Sequence, residues 1–467
     1  MPPSEHTLTL PARMARVAVV APAARLRDAL AAVAAAGTVE LAGPPAAASG
    51  EALEALRRLQ RQGRDEARPL LARSRPDIAE LERRGAAELL AGEVELERRA
   101  AAAVGHGSFA AVVGWTPERE LPRLLDRLAP LGAAVVELPR PPWAEPPTLI
   151  ARRAIAAPFR ALVETYGPAR YADLDPTLFA AGSFVVMFGM MFGDVGHGVL
   201  VAALALALRA RRRGRLASLR HLWPLPFAAG LAAAAAGLAY GECFGPTGLV
   251  PRLWLDPIEH PEPLLAAALA VGATLLAQSY AFGTVNRWRE AGAAAAAVAP
   301  SGVAGTCVFL GGGIAAAGWY LGAVPVELAG AATAALGLAL LSLGYALEAG
   351  RGATAVLQVA VETIDAVVRI GASAISFTRL AAFGMVHAAL GALVWDGATA
   401  ASGGAAGTTL AAGVFLTGNA LAFSLELLVA GIQALRLEYY ELFSRIFAGE
   451  GHAFSPWHIP LAPEEDQ

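Results

Sequence analysis

The chain has 467 residues, of which 56% are hydrophobic and only 16% are charged, and its mean hydropathy is +0.49. This composition lies outside the range of ordinary water-soluble proteins. The net charge is −3 and no basic tail is present, which argues against a nucleic-acid-binding or disordered protein. The two cysteines lie in apolar stretches and do not indicate a disulfide framework. The sequence therefore predicts a membrane protein with a soluble N-terminal part.

Short patterned segments in residues 1–145 predict a small N-terminal α/β domain. Residues 51–103, rich in Arg, Glu, Leu and Ala, predict a helical insertion of one or two amphipathic helices. No Walker-type phosphate loop occurs in the sequence, so no ATP site is expected in this chain. Strands are expected at Met14–Val20, Thr38–Ala42, Phe109–Trp115 and Ala133–Leu138, and helices at Arg25–Gly37 and Glu118–Leu131.

Long apolar runs follow a proline-rich stretch at Pro139–Pro147. We assign residues 146–181 to a hinge and membrane-entry segment and residues 182–467 to a transmembrane, ion-translocating domain. Five of the seven predicted spans match a hydrocarbon core about 30 Å thick, and the last two are long and charged enough to be tilted. The predicted spans are Gly182–Leu208, His221–Cys243, Leu264–Val285, Pro300–Gly322, Val326–Leu347, Thr354–Trp395 and Thr408–Phe447.

Arginines in the short loops predict the orientation in the membrane. Six arginines crowd the loop after the first span, which places that loop in the cytosol. Alternation then puts residues 245–263 outside, Arg287 and Arg351 inside, and the C-terminus inside. Seven crossings would leave the N-terminal domain outside, so either an eighth crossing or re-entrant piece lies within residues 148–181 or the first loop breaks the rule. We prefer the eighth crossing, which gives a polytopic α-helical protein of the plasma membrane with seven or eight transmembrane helices and a cytosolic N-terminal α/β domain.

Arg379 is the most informative residue of the membrane domain. An ionisable group deep in an apolar helix costs several kcal/mol and is a functional candidate for that reason, and a guanidinium stays protonated in proteins. The nearest upstream carboxylate on the predicted helix is Asp365, 14 residues and about 21 Å away. We therefore expect the partner carboxylate on another helix or another subunit. The alternative is an internal structural ion pair.

Arg436 repeats this situation on the last predicted helix, ten residues after Glu426. Two arginines at mid-depth predict one shared polar seam. His387 is about 12 Å beyond Arg379, although a lone membrane histidine is as often a helix-packing hydrogen-bonder. The polar order along the seam is Glu362, Asp365 and Arg369 toward the cytosol, Arg379 and Arg436 in the middle, and His387 and Glu426 toward the outside.

This polar order predicts two aqueous half-channels that do not meet. Ions reach mid-membrane from either side, while the arginines block direct passage. A fixed positive charge stabilises the ionised form of a carboxylate brought beside it, and at an effective dielectric of ~20 a pair at 4 Å gains about 4 kcal/mol. The moving carboxylate is expected on a partner protein.

The glycine-rich segment Met187–Gly198 (MFGMMFGDVGHG) predicts close helix packing. Within it, Asp194 and His197 are three residues apart and share a helix face. They are either part of the ion path or a hydrogen-bonded pair at a tight helix interface. Two ligands do not complete a metal site, so neither a metal nor a cofactor is expected.

Several motifs between residues 114 and 457 resemble those of one known family, the membrane subunit of rotary V/A-type ATPases, called subunit a or subunit I. The likeness covers about residues 114–456 and is weaker in the first 40 residues. The motifs are Gly114–Pro117 (GWTP), Asp175–Thr177 (DPT), Met187–Gly198, Tyr240–Gly245 (YGECFG), Ser376–His387 (SFTRLAAFGMVH) and Leu435–Trp457 (LRLEYYELFSRIFAGEGHAFSPW).

The resemblance implies that Arg379 and Arg436 face a rotating ring of proteolipid subunits (c or K), whose helices each carry an essential carboxylate. It also implies the partners: this ring, the peripheral-stalk and central-stalk subunits of a V/A-type ATPase, and the lipid bilayer, with no nucleic acid. The half-channel positions of the family correspond to Asp365, His387, Glu426 and Asp194, and positions that are often polar in the family correspond to Arg369 and Ser373.

We therefore expect a non-catalytic stator subunit of a rotary ATPase that conducts H⁺, with Na⁺ as the alternative ion. The insertion at residues 51–103 is much shorter than the family's usual coiled-coil arm, so the usual double attachment to peripheral stalks is not assigned. A second hypothesis is a stand-alone secondary ion transporter with a cytosolic regulatory domain, and a third is an assembly subunit that no longer conducts.

Overall fold

The computed structural model describes residues 11–62, 68–141, 144–149, 157–167, 170–447 and 451–463. These residues form two compact units. The N-terminal unit contains residues between 11 and 149, residues 170–171 and the C-terminal tail 451–463, and the helical unit contains residues 157–167 and 172–447.

An antiparallel sheet forms the centre of the N-terminal unit. The strand order is β2-β4-β1-β5, and β3 pairs with β4. β1 and β4 pair over nine residues, from Met14 opposite Pro117 to Pro22 opposite Phe109. The described strands are β1 (Met14–Pro22), β2 (Glu40–Leu41), β3 (Val104–His106), β4 (Phe109–Pro117) and β5 (Ala134–Glu137). Four of them were predicted from the sequence, and β3 was not.

Helices α1 and α5 lie against this sheet, where Leu30, Val33 and Leu128 are almost fully buried. Gly37 ends α1 in the left-handed region (φ +59°), which only glycine adopts without strain. The described residues of the insertion, 51–62 and 68–103, form three helices instead of the one or two expected. The described helices of this unit are α1 (Leu26–Ala36), α2 (Glu51–Arg61), α3 (Ile78–Arg84), α4 (Ala87–Ala101) and α5 (Leu121–Leu128).

The C-terminal tail 451–463 completes the N-terminal unit, which the sequence did not reveal. The N–H of Trp457 donates to the carbonyl of Val39 at 2.9 Å, and the N–H of Ile459 donates to the carbonyl of Ala34 at 3.2 Å. Ile459 is 3% exposed and belongs to the core formed by α1 and the sheet. The C-terminal tail therefore contributes to the same hydrophobic core as α1 and the sheet.

The helical unit contains most of the apolar sequence. Five helical segments are long and apolar enough to cross a membrane, and three shorter apolar helices of 15–17 residues accompany them among the described residues. The chain is therefore a multi-pass helical membrane protein. Its helices are α6 (Arg160–Tyr166), α7 (Thr177–Met191), α8 (Val195–Ala210), α9 (Pro224–Tyr240), α10 (Pro261–Val298), α11 (Val303–Tyr320), α12 (Val324–Ala349), α13 (Ala353–Ser376), α14 (Thr378–Ala400), α15 (Gly404–Leu437) and α16 (Ser444–Ile446), the last preceded by a π-helical turn at Glu438–Phe443.

The single span predicted at Gly182–Leu208 is wrong, because α7 and α8 are separate helices. Asp194 lies between them in an extended conformation (φ −141°, ψ 131°) and caps α8. Gly237 of α9 fits against this point, since a methyl group there would lie 2.5 Å from the carbonyl carbon of Asp194. The apolar run from Gly182 to Leu208 therefore contains a helix break that a hydropathy profile cannot reveal.

Contacts along α9 show that α7 and α8 run in opposite directions. Positions further along α7 meet positions further along α9, whereas positions further along α8 meet earlier positions of α9. The chain thus reverses direction at residues 192–194. On the α7 side, the contacts pair Gly189 with Ala232, and Gly193 just after α7 with Ala236 and Tyr240; on the α8 side, they pair Asp194 just before α8 with Gly237, and Gly198 with Ala234.

The eighth crossing or re-entrant piece expected within residues 148–181 is not seen in the described part of that stretch. Residues 150–156 and 168–169 of that stretch lie outside the described residues. The helices of its described part are a 3-10 turn at Ala157–Phe159, the seven-residue helix α6 and the start of α7. The reversal between α7 and α8 supplies the additional change of direction instead.

Two ends of the helical unit can be named by their contacts. At one end, the N–H of Leu174 donates to Oδ1 of Asn286 at 2.9 Å, and Nδ2 of Asn286 donates to the carbonyl of Ile446 at 3.0 Å. We call this the Leu174 end. At the other, the Gly245 end, Gly245 lies against the backbone of Gly391. Following the helices from one end to the other puts the arginine-bearing turns 211–220 and 350–352 at the Leu174 end.

Candidate functional site

Five ionisable residues form a buried group near the Gly245 end, which we call the His387 cluster: Asp194, His197, Glu242, His387 and Glu426. They come from the start of α8, the loop after α9, the middle of α14 and the middle of α15. Asp194, His197, Glu242 and His387 are each at most 6% exposed. Four of these five residues were predicted from the sequence as ion-path candidates, and tertiary packing brings them together.

Asp194 holds the break between α7 and α8. Its Oδ1 accepts the backbone N–H of His197 at 2.8 Å, and its Oδ2 accepts the backbone N–H of Gly245 at 3.0 Å. The ring of His197 is 3.8 Å from Oδ1 of Asp194, beyond hydrogen-bonding distance. Asp194 therefore bonds to the backbone of His197 rather than to its ring.

His387 and Glu426 link α14 to α15. Nδ1 of His387 is hydrogen-bonded to Oε2 of Glu426. The rings of His387 and His197 lie with centroids 5.6 Å apart, and Phe192 lies 5.2 Å from the His387 ring. The His387 ring therefore lies against other rings and away from water, where electrostatic interactions are stronger.

Glu242 is a member of the cluster that sequence reasoning missed. It is 6% exposed, and its charge interacts with those of Asp194, His387 and Glu426. Its carbonyl accepts the N–H of Val195 at 2.9 Å, which ties the loop after α9 to the start of α8. A carboxylate inside the apolar motif YGECFG was the signal that could have identified it.

A second polar region lies toward the Leu174 end, around a cavity of about 250 Å³. Ser373 accepts a hydrogen bond from Nη2 of Arg445 at 2.9 Å, and both side chains are buried. The guanidinium of Arg445 also lies 5.1 Å from the ring centre of Tyr280. The cavity is lined in part by Tyr280, Ser301, Tyr345, Arg369, Ser444 and Arg445. Of these, only Arg369 was singled out from the sequence.

The other two acidic candidates lie on α13, where Asp365 is exposed and Glu362 is half-buried. Asp365 forms an ion pair with Arg369 one helical turn later, and their side chains are 60% and 71% exposed. Glu362 accepts a hydrogen bond from Gln358 at 2.9 Å. Neither carboxylate forms an ion pair with Arg379 in the described structure, in agreement with the spacing argument.

Arg379 stands at the junction of α13 and α14. Phe377, between these helices, is fully buried against Gly272 of α10. The half-buried Arg379 makes one long hydrogen bond, from Nη2 to Oγ of Ser376 at 3.5 Å. Within the described residues, no carboxylate oxygen comes within the 4.0 Å ion-pair distance of its guanidinium.

Arg436 lies one residue before the end of α15 and is exposed. No ion pair joins it to a carboxylate among the residues that the structure describes. In the apolar part of the segment 407–446, only 11% of the residues are buried, the lowest fraction among the five long apolar segments. Arg436 therefore lies on a largely uncovered helix.

Glu438 is a further buried carboxylate that the sequence analysis did not single out. It begins the π-helical turn, is fully buried, and accepts a hydrogen bond from Oγ of Ser183 at 2.6 Å. This contact ties the end of α15 to α7. A glutamate two residues after Arg436 in an amphiphilic segment gave no sign of burial.

The polar groups thus occur in a fixed order along two antiparallel helices. His387 lies eight residues beyond Arg379, about 12 Å, and Glu426 lies ten residues before Arg436, about 15 Å. Ser373 lies on the opposite side of Arg379 from His387. The two polar regions are separated along the helices by the stretch that carries both arginines.

Comparison with known proteins identifies related sequences. Residues 106–223 match the family model described as the V-type ATPase 116kDa subunit family. The A-type ATP synthase subunit I of Halobacterium salinarum is 30% identical over 377 residues, which cover 67% of this chain and 51% of that protein.

Two further relatives extend the comparison. The A-type ATP synthase subunit I of Thermococcus kodakarensis is 25% identical over 372 residues, 74% of this chain and 54% of that protein. The human V-type proton ATPase 116 kDa subunit a 3 is 33% identical over 154 residues, 30% of this chain and 19% of that protein. The chain spans about half the length of the archaeal relatives. On these matches and the shared motifs, the chain belongs to the V/A-type ATPase subunit a/I family.

Proposed function

We propose that this chain is the membrane stator subunit of a V/A-type rotary ATPase. In this role it guides H⁺, with Na⁺ as the alternative ion, between the aqueous phases and the carboxylates of a proteolipid ring. The observation that carries the proposal is the state of Arg379 and Arg436. Neither guanidinium is ion-paired to a carboxylate among the described residues.

An arginine in an apolar helix needs a counter-charge, and a partner subunit can supply it. At an effective dielectric of ~20, a carboxylate at 4 Å from the guanidinium gains about 4 kcal/mol. That gain favours release of a proton or cation from a ring carboxylate as it passes Arg379. The exposed position of Arg436 and the low burial of α15 support contact with a neighbouring protein.

The His387 cluster and the cavity at Arg445 serve as the inner parts of two access routes. The cluster supplies imidazole and carboxylate groups on one side of the arginines, and the cavity supplies hydroxyl groups on the other. Neither route passes Arg379 or Arg436, so an ion crosses the membrane only while it is bound to a carboxylate of the rotating ring. In this proposal Asp365, exposed on α13, and Glu362, half-buried on the same helix, serve the entrance of the second route.

The arginine-rich turns support a cytosolic Leu174 end. The reversal at residues 192–194 supports eight crossings, formed by α7, α8, α9, α10, α11, α12, the α13–α14 pair and α15. An even number puts the start of α7 and the end of α16 on the same side. The N-terminal unit and the C-terminal tail are then both cytosolic.

The test replaces Arg379 by Ala in the assembled complex of the native membrane. We expect ATP-driven ion transport into vesicles to be abolished, while the chain still inserts and still co-purifies with the proteolipid ring and the catalytic subunits. Arg351→Ala, at an exposed arginine of the α12–α13 turn, is the matched control and should transport normally. Transport retained in Arg379→Ala contradicts the proposal.

Reconstitution of the purified chain alone separates the proposal from the transporter alternative. A stator subunit without its ring has no path through the membrane, so we expect no ion flux in liposomes. Flux through the chain alone favours a secondary transporter. An assembly subunit that does not conduct would leave transport unchanged in both Arg379→Ala and Arg436→Ala.

A further inference from the structure

We propose that Asp194, His197 and His387 form a binding site for Zn²⁺ or a similar transition-metal ion, with Glu426 orienting His387. Each of the three residues offers one ligand atom, and these atoms all lie within 4.8 Å of one another. The sequence shows two of these residues as neighbours, and the fold adds the third. The set is now large enough for an open tetrahedral site, which needs three protein ligands and one exchangeable position.

The spacing of the ligand atoms is close to what a metal requires. Zinc binds imidazole nitrogen at about 2.0–2.1 Å, so tetrahedral ligands lie roughly 3.4 Å apart. Drawing the three atoms together takes movements of about 1 Å, within the reach of side-chain rotation. Asp194 is fixed by its two backbone hydrogen bonds, so the histidines make most of the adjustment.

His387 is already held as metal-binding histidines usually are. Its Nδ1 pairs with the carboxylate of Glu426, which leaves Nε2 as the nitrogen available to a metal. A carboxylate behind the histidine fixes the ring and makes its other nitrogen a better ligand. Glu426 has a side chain that is 12% exposed, more than that of His387, so the pair reaches toward the surface.

His197 provides the second, independent indication. It is 3% exposed, and within the described residues neither ring nitrogen makes a hydrogen bond of good geometry; the side chain of Asn419 gives it only a weaker polar contact. Buried polar atoms are rarely left without a partner, because the loss of hydration costs about 1–3 kcal/mol. A metal ion bound by this ring satisfies one of these nitrogens.

The donor set selects the class of metal. Two imidazoles and one carboxylate suit Zn²⁺, Co²⁺ or Cu²⁺. Ca²⁺ and Mg²⁺ take oxygen ligands and would leave both histidines unused.

A bound metal has a consequence that rests on the proposed function. If ions travel through the His387 cluster, a divalent cation on His387 and Asp194 occupies their path. Zinc would then inhibit transport from the Gly245 end. The site itself does not depend on this role.

Metal binding is measured directly on the purified complex in detergent, with Co²⁺ as an optical probe and Zn²⁺ as competitor. We expect one Co²⁺ per chain with the visible absorption of a tetrahedral site, displaced by Zn²⁺. His197→Gln and His387→Gln should each remove that absorption. Glu426→Gln should weaken binding about 10- to 100-fold, as expected for loss of a carboxylate behind a ligand.

Two controls keep the result interpretable. His221→Gln, at an exposed histidine outside the cluster, should leave the tetrahedral absorption unchanged. Asp194→Asn keeps one of the two acceptor oxygens, so it can still accept the N–H of His197 or that of Gly245, and it should bind Co²⁺ more weakly. Tetrahedral binding that persists in His197→Gln and His387→Gln, or that is absent from the folded wild-type complex, overturns the inference.

Transport measured with the same samples separates the two proposals. Zinc binding at the site together with inhibition supports both. Zinc binding without inhibition supports the metal site and contradicts an ion path through the His387 cluster. Loss of transport in Arg379→Ala with no metal binding in the wild type supports the stator function and overturns the metal site.

Discussion

His387 on α14 and Glu426 on α15 form a buried hydrogen-bonded pair, although 39 residues separate them in the sequence. The pair joins the two helices that also carry Arg379 and Arg436. Because His387 is 5% exposed, the histidine and the carboxylate act as one polar unit rather than as two solvated groups.

The first prediction concerns the coupling within this pair. Glu426→Gln and His387→Gln should each reduce ATP-driven transport. The double variant should be no worse than the more damaged single variant, because either change already breaks the shared unit. Transport rates in native vesicles measure this cycle. If the fractional transport rate of the double variant equals the product of the two single-variant fractions, the two residues act independently, and the prediction is wrong.

The second prediction concerns packing between α8 and α9. A methyl group on Gly198 would lie 2.5 Å from the backbone nitrogen of Ala234 and 2.7 Å from the carbonyl oxygen of Gly230. Gly198→Ala should therefore destabilise the helical unit by about 1–3 kcal/mol, the usual cost of overpacking. Thermal unfolding in detergent measures the loss. Gly313→Ala on α11, where nothing lies within 4 Å, is the control, and equal melting of the two variants would refute the packing argument.

The third prediction concerns topology. If α9 crosses the membrane, the turn after α8 and the loop after α9 face opposite sides. In a chain with Cys243 and Cys307 replaced by serine, Arg213→Cys should react with an impermeant thiol reagent only from the cytosol. Leu249→Cys, at a position 74% exposed, should react only from the outside. Labelling of both from one side would contradict the assignment.

The fourth prediction concerns pH and the N-terminal unit. Burial raises the pKa of Glu97, and the charges of Glu93 and Glu51 raise it further. The folded state then binds this proton more tightly than the unfolded state, so the free energy of unfolding falls as pH rises through the raised pKa. Hydrogen exchange of α4 amides, corrected for the intrinsic rate, should report less protection at higher pH.

Glu97→Gln tests the cause of this pH dependence. The variant has no proton to lose, so protection of α4 should change less with pH and be greater than in the wild type at neutral pH. Glu88→Gln, at an exposed position of the same helix, should retain the wild-type dependence. An unchanged dependence in Glu97→Gln would assign the effect to another group.

The hydropathy pattern indicated where the apolar segments lie, but it could not show where the chain reverses direction within one of them. The run from Gly182 to Leu208 is apolar throughout, so the reversal at Asp194 left no trace in the pattern. The reversal depends on a side-chain cap and on small residues of α9, both of which are tertiary features. The mistaken single span followed from this, as did the expectation of an additional crossing in residues 148–181.

Candidate residues could be predicted where a charge stood alone in an apolar run, as at Arg379 and His387. They were missed where the charge lay near a loop or a helix end, because such positions are normally solvated. Glu242 and Glu438 are of this kind, and both are buried by packing from distant helices. The placement of the tail residue Ile459 in the N-terminal core is equally a long-range effect.

Cross-linking next to Arg436 tests the central claim most directly. Ile432 lies one turn before Arg436 on the same face of α15 and is 52% exposed. A photoreactive residue at position 432 should cross-link to a proteolipid subunit in the native membrane, whereas one at Leu336 of α12, 57% exposed, should not. Cross-links from position 432 to lipid alone, or the same products from both positions, would contradict a stator face at the arginines.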